Sequence, residues 1–208
     1  MINRFINKVS CLTIKLKYRN IITFSKCALR KLKVQNRGNG NVIKIAEHCT
    51  LKNCNFLFQG SNNTINIGES VKLCGVSFWI EDDNNIISIG KNSTFECGTQ
   101  LAACEGTNIL IGDDCMFSNH ISIRTTDSHS IIDNNCVRIN EAKDILIGNH
   151  VWVGWQSLIL KGSVISDNSI VGARSIVSSS SPHIPNSIMA GHPVKIIRRD
   201  INWKRERI

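Results

Sequence analysis

The chain has 208 residues, of which 42% are hydrophobic and 20% charged, with a net charge of +9. This length suits one domain with short extensions. No apolar run approaches the ~18 residues that a membrane-spanning helix needs, and the basic charge comes without a DNA- or RNA-binding motif, so neither a helical membrane span nor a nucleic-acid partner is expected.

Residues 1–38 read as a basic N-terminal extension or cap, with no acidic residue before Glu47. Ile2, Phe5, Ile6, Val9, Leu12 and Leu16 recur at helical spacing with Lys and Arg between them, which predicts an amphipathic helix. Such a helix either caps the first layer of the repeat that follows or lies on an anionic membrane surface. Capping is the favoured expectation, because an open solenoid end needs covering. Lys8, Lys15 and Lys17 interrupt the apolar residues, unlike a secretory signal. The expected location is therefore the cytoplasm, with peripheral contact at the inner membrane face as a further option.

Residues 39–193 carry a repeat. Asn66-Ile67-Gly68, Ser88-Ile89-Gly90 and Leu110-Ile111-Gly112 recur every 22 residues, each preceded by an isoleucine. Within these units an apolar residue returns every six: Ile67, Leu73 and Trp79; Ile89, Phe95 and Leu101; Ile111, Phe117 and Ile123. Three six-residue sides leave four residues of each coil over. The corners Ser61-Asn62-Asn63 and Asp83-Asn84-Asn85 are expected to hold them, because Asn tolerates turns.

Between Ile111 and Ile147 the interval lengthens to 36. Residues 124–144 are polar, ignore the six-residue period and form an inserted loop containing Asp127 and His129. A long excursion from a rigid scaffold usually serves function. After it the period becomes strict. Ile147, Val153, Ile159, Ile165, Val171 and Val177 are all β-branched aliphatics, and Val151, Ser157, Ser163, Ser169 and Ser175 are all small or β-branched. Neither a helix nor one long strand gives a strict six, whereas a solenoid of short strands does. Glycines 148, 154, 162 and 172 fall near its corners. Residues 194–208 form a basic C-terminal tail, expected to be a strand ending in a helix. The nine cysteines include no CxxC pair and no Cys/His cluster at zinc spacing. They read as reduced thiols filling small apolar sites, with no disulfide framework and no metal.

The stretch NHVWVGWQSLILKGSVISDNSIVGARSIV, followed by IPNSIMAGHPVKIIR, resembles the end of a hexapeptide-repeat acyltransferase. The loop and its continuation, SIRTTDSHSIID to RINEAKDILIGNHVWVGW, are most similar to O-acetyltransferases that modify bacterial capsule, polysialic acid or lipopolysaccharide sugars. The resemblance covers roughly residues 60–200. It implies an all-β, left-handed parallel β-helix, a homotrimer, acetyl-CoA as donor, a glycan or sugar hydroxyl as acceptor, and direct transfer without a metal.

Such a transfer needs a base, and histidine is the natural one near neutral pH. Of six histidines, His48 and His150 fall in or beside corners and His183 and His192 in the terminal segment, while His120 adjoins the loop and is the second candidate. The first is His129, because the family's sugar O-acetyltransferases carry their catalytic histidine in a similar D-x-H-[SP]-I element. Asp127 is then expected to orient its imidazole. The resemblance places Trp152, of the VWVG motif, by the acetyl-thioester. Trp155 and Ala173, one 18-residue coil apart, match positions whose backbone N–H groups bind the pantetheine arm. Arg174 stands where the common pattern has Gly and either reaches a CoA phosphate or narrows the channel. Ser178 joins this set, and Lys195 and Arg198 match basic positions suited to the CoA phosphates.

Other readings stay open. An N-acetyltransferase acting on an amino sugar nucleotide would share fold and donor. A γ-type carbonic anhydrase needs three histidines between coils, and no convincing set is present. An acetyl-cysteine route would need a thiol beside His129, and only Cys136 is near it in sequence. A binding solenoid without catalysis is the last.

Overall fold

The computed structural model describes residues 21–208, which form a parallel β-solenoid of about eight turns. Each coil contributes one short strand to each of three faces. The first face holds seven strands, from Ile22–Phe24 to Val164–Ile165, and the third holds seven, from Lys33–Asn36 to Ile176–Val177. The second holds nine, from Ala28–Arg30 to the hairpin Ile188–Gly191 and Val194–Arg198, whose last pair is antiparallel. No helix occurs among the described residues, so none of them forms a helix long and apolar enough to cross a membrane.

The 22-residue spacing is the pairing register. Ile43, Ile65, Ile87 and Ile109 are successive partners on the first face, and Ile145 follows Ile109 across the inserted loop. Leu146 then pairs with Val164, one 18-residue step on. Parallel strands bond only to their neighbours in space, so each backbone group finds its partner one coil away, and equivalent side chains stack.

Those stacks are the core. Ile147, Val153, Ile159, Ile165, Val171 and Val177 are all buried. So are Val151, Ser157, Ser163, Ser169 and Ser175. Serine fits there because its hydroxyl can satisfy corner backbone groups: Ser157 donates to Gly154 O at 2.9 Å and Ser163 to Leu160 O at 2.6 Å. Lower in the prism the same columns hold phenylalanines, stacked as Phe56–Phe78 and Phe95–Phe117 with centroids 4.8 and 4.1 Å apart. The extra residues of the 22-residue coils sit at the corner between the third and first faces. There Asn62 and Asn84 take left-handed φ values of 58° and 62°. Their neighbours Asn63 and Asn85 are buried and build a ladder with Asn41. The side-chain oxygens of Asn41 and Asn63 accept the N–H of the next coil's asparagine at 2.9 and 2.7 Å.

Three expectations need correction. The solenoid begins before residue 39: Ile22–Phe24, Ala28–Arg30 and Lys33–Asn36 already pair in parallel with the next coil, while the helix expected over residues 2–16 lies outside the described residues. Trp79 points outward and is 38% exposed, while Phe78 takes the inward place. The corner at Cys74–Val76 is one residue shorter than the six-residue count assumes, which shifts the alternation. The C-terminal tail is not helical. It folds back along the corner between the first and second faces and buries Trp203 to 6% exposure.

Phe117→Ala removes a fully buried ring from the phenylalanine stack. A loss of about 3–5 kcal/mol is expected in denaturant unfolding, and a change below about 1 kcal/mol would mean that the stack is not the tight core described here.

Candidate active site

The inserted loop leaves the third face after Ser122–Arg124 and returns as Ile145–Ile147. Its root is pinned: Thr125 N–H donates to Ala102 O at 3.1 Å, and Lys143 N–H to Thr125 O at 3.0 Å. Its tip is a small hairpin in which Asp133 and Ile139 N–H groups bond to Val137 and Ile131 carbonyls, both at 2.9 Å. Asn140, buried at the base, links the parts. Its Oδ1 accepts Ile131 N–H at 2.7 Å, and its Nδ2 donates to Asp127 Oδ2 at 2.9 Å and His129 O at 2.8 Å.

Two ion pairs fasten this loop to the prism. Arg138 grips Glu105 with both ends of its guanidinium, at 2.7 and 2.8 Å, and Thr126 donates to the same carboxylate at 3.0 Å. Lys161 Nζ donates to Asp127 Oδ2 at 2.5 Å and to Asn140 O at 2.8 Å. The Arg138 hydrogen bonds hold the Glu105 carboxyl below its ordinary value, and the Lys161 bond, then Asn140, does the same for Asp127. Asp127 is thus engaged with Lys161 and Asn140 and does not bond to the His129 ring. The expected orienting contact is not made among the described residues. The Asp127 carboxylate instead ties the loop to Lys161 on the prism.

The His129 ring makes no hydrogen bond among the described residues and opens on a cavity of about 290 Å³. Trp79, Glu81, Gln100, Arg124 and Cys104 line it with His129. Trp79, Ala102 and Arg124 are register partners on successive coils, so the indole and the guanidinium rise from one outward column of the third face. Gln100 and Ser122 hold Arg124 through Nη2 (2.6 Å) and Nε (3.1 Å), leaving Nη1 without a partner among the described residues. Burial, then the nearby Glu81 charge, pushes the Cys104 thiol up to about 12. It stays protonated and is a poor nucleophile. Sequence reasoning missed Trp79, Arg124, Glu105, Asn140 and Lys161. Only the outward column of the pairing register brings the first two together.

The remaining expected residues lie elsewhere. Trp152 projects from the second face, 36% exposed. Trp155 sits at the corner between the second and third faces, and Arg174 N–H, one coil on, donates to its carbonyl at 2.7 Å. Ala173 presses on the same corner: a Cβ on Gly154 would meet its nitrogen at 2.6 Å, so only glycine fits there. Ser178 follows the third-face strand Ile176–Val177, its hydroxyl near Ser180 and Ser181. Lys195 and Arg198 are exposed on the closing hairpin of the second face. Arg198 pairs with Ile188, which stacks through Ile170 on Trp152. Three rungs separate Arg198 from Trp152, about 14 Å at ~4.8 Å per rung. Within one chain His129 and Trp152 occupy different faces. His120 takes a left-handed corner φ of 59°, and its ring packs over Gly98 of the coil below. Among the described residues no three His, Cys, Asp or Glu side chains cluster to hold a metal ion.

No protein-family model matches the chain. The crystal structure of a polySia-specific acetyltransferase superposes with a TM-score of 0.66 at 32% identity, covering 85% of this chain and 90% of that one. The chain belongs to the hexapeptide-repeat acyltransferase family. Another family structure, a polysialic acid O-acetyltransferase, gives a TM-score of 0.73 at 27% identity over 90% of this chain and 92% of that one. Over 99 residues, 47% of its length, the chain is 39% identical to the polysialic acid O-acetyltransferase of Escherichia coli O1:K1 / APEC. That match spans 32% of the relative's length.

Acidification tests the loop's anchoring. Both carboxyls are held below their ordinary values, so their contribution is complete above the carboxylate range and is lost as the pH falls through the folded values. Pepsin is expected to cut within residues 125–144 below about pH 4, before global unfolding, and at a higher pH in Lys161→Met. A loop that resists cleavage until the prism itself unfolds would show that these pairs do not anchor it.

Proposed function

We propose that the chain is an acetyl-CoA-dependent O-acetyltransferase acting on a sugar hydroxyl of a bacterial surface polysaccharide or its precursor. The observation that carries this reading is the third-face cavity, where an unpartnered imidazole shares a polar pocket with an outward indole and a guanidinium. An indole is a natural platform for the apolar face of a sugar ring. A guanidinium with one free nitrogen suits an acidic sugar's carboxylate. Relatives named for polysialic acid make oligosialic acid the first acceptor to try.

His129 takes the proton of the acceptor hydroxyl as its oxygen attacks the thioester carbonyl carbon. The tetrahedral intermediate collapses with cleavage of the carbon–sulfur bond, and the imidazolium returns its proton to the CoA thiolate. Asp127 supports this through the loop rather than by touching the ring. The donor lies along the second face, its thioester at Trp152 and its pantetheine arm along the Trp155–Ala173 corner. Arg174 and Ser178 flank the arm, and the phosphates reach Lys195 and Arg198. Since His129 and Trp152 stand on different faces of one prism, the complete site forms between copies packed around a threefold axis, His129 of one copy meeting Trp152 of the next.

The variants should separate these roles. His129→Ala is expected to fold and bind CoA but lose transfer about a hundredfold or more. Trp152→Ala should chiefly lower turnover, because misplacement by about 1 Å costs on the order of a hundredfold. Lys195→Ala with Arg198→Ala should chiefly raise the Michaelis constant for acetyl-CoA, more so at low salt. These are read from CoA release, with oligosialic acid and an amino sugar nucleotide as competing acceptors. Near-normal turnover by folded His129→Ala, or transfer to the amine alone, would sink the reading.

A further inference from the structure

The C-terminal tail is laid back along the prism as a strap. Ile201 N–H donates to Asn186 O at 3.0 Å. The Trp203 indole N–H donates to His150 O at 2.8 Å. Arg205 reaches further down, to Asp114 Oδ1 at 2.9 Å, Thr94 Oγ1 at 2.8 Å and Cys115 O at 3.0 Å. Asn186, His150 and Asp114 are left-handed residues of a single corner, the one between the first and second faces, on different coils. The strap therefore follows that corner.

Its central group is Trp203. The indole stacks on the His150 imidazole with centroids 4.1 Å apart and planes 11° apart, and lies 6.1 Å from the Trp152 ring at a 48° tilt. His150 faces two acceptors, the Asp114 carboxylate at Nδ1 (2.7 Å) and the Trp203 carbonyl at Nε2 (3.0 Å). Arg205 closes the set by pairing with the other oxygen of Asp114, and its guanidinium lies 5.8 Å over the Trp203 ring. A buried aromatic held by two hydrogen bonds, a stacked ring and an ion-paired neighbour is a fixed wall.

We propose that Trp203 is a positioning residue for Trp152, the strap setting the indole that meets the thioester. This rests on the donor reading given above. Trp152 projects from a strand of only two residues, Trp152–Val153, so its own strand constrains its ring weakly. The strap supports it from the first-face side. Trp155 and Ala173 lie at the opposite corner, so the strap leaves the proposed pantetheine track open and does not compete with the donor. A role in placement, rather than in affinity, follows from that geometry.

The test compares wild type with Trp203→Ala, Trp203→Phe and Trp152→Ala in acetyl-CoA turnover, with oligosialic acid as acceptor, in CoA affinity by calorimetry, and in far-UV circular dichroism. Paired indoles give an exciton couplet, which should vanish in both alanine variants. Trp203→Ala should lower kcat about tenfold or more with the Michaelis constant for acetyl-CoA nearly unchanged, and Trp203→Phe, which keeps a stacked ring, should largely restore the rate. A role in stability alone would lower the melting temperature and leave kcat of the folded fraction intact, which overturns the proposal. If Trp203→Ala does not fold, Arg205→Ala loosens the strap without removing the ring, and an unchanged kcat there overturns it equally. Wild type that binds no CoA would instead bring down the donor reading, and this proposal with it.

Discussion

Every coil of this prism gives its backbone hydrogen bonds to the coils above and below it, and that ladder governs the rest of the structure. Strands of two to five residues have no stability of their own. They persist because each peptide group is satisfied one rung away and each inward side chain lands on its equivalent. A residue added to one coil must therefore leave the prism at a corner. The inserted loop is the extreme case: Ile109 and Ile145 remain partners with the whole excursion between them. The loop gains its order from that rigidity, because Ala102 and Glu105, which hold it, belong to a fixed coil below.

The same constraint explains what the sequence could and could not show. Where coils have 18 residues, spacing and space coincide, and the alternation of Ile159 and Ser163 reads directly as a buried column. The 22-residue coils also announce themselves, since the Asn63–Asn85 ladder requires the same residue at the same corner. Trp79 was misread because one short corner moves a whole strand to the other face. The first coil was hidden because Lys26, Arg30, Lys31 and Lys33 break up its apolar residues, of which Ile22 and Leu29 are buried. Arg205 and Asp114, 91 residues apart, have no sequence pattern to connect them.

The site shows a similar division. His129 drew notice in the sequence because it stands in the one long polar excursion and in a D-x-H-S-I element; in the fold its ring lines a cavity and makes no hydrogen bond among the described residues. Its surroundings were not legible, because Trp79 and Arg124 come from different coils and meet only through the register of the third face. Asp127 shows the limit of proximity in sequence: two residues from the histidine, its carboxylate turns to Lys161 and Asn140 instead. Charge at this surface ties the loop to the prism through Arg138–Glu105 and Lys161–Asp127.

The central claim is that one working site is assembled from His129 of one copy and Trp152 of the next. It is tested most directly by co-assembling His129→Ala chains with Trp152→Ala chains and measuring acetyl transfer by the mixed oligomer. Each variant alone has only defective sites, whereas a mixed trimer contains interfaces with both residues intact, so the account predicts that activity returns on mixing. Verified mixed trimers that stay as inactive as their parents, or a monomer that is fully active, would contradict it.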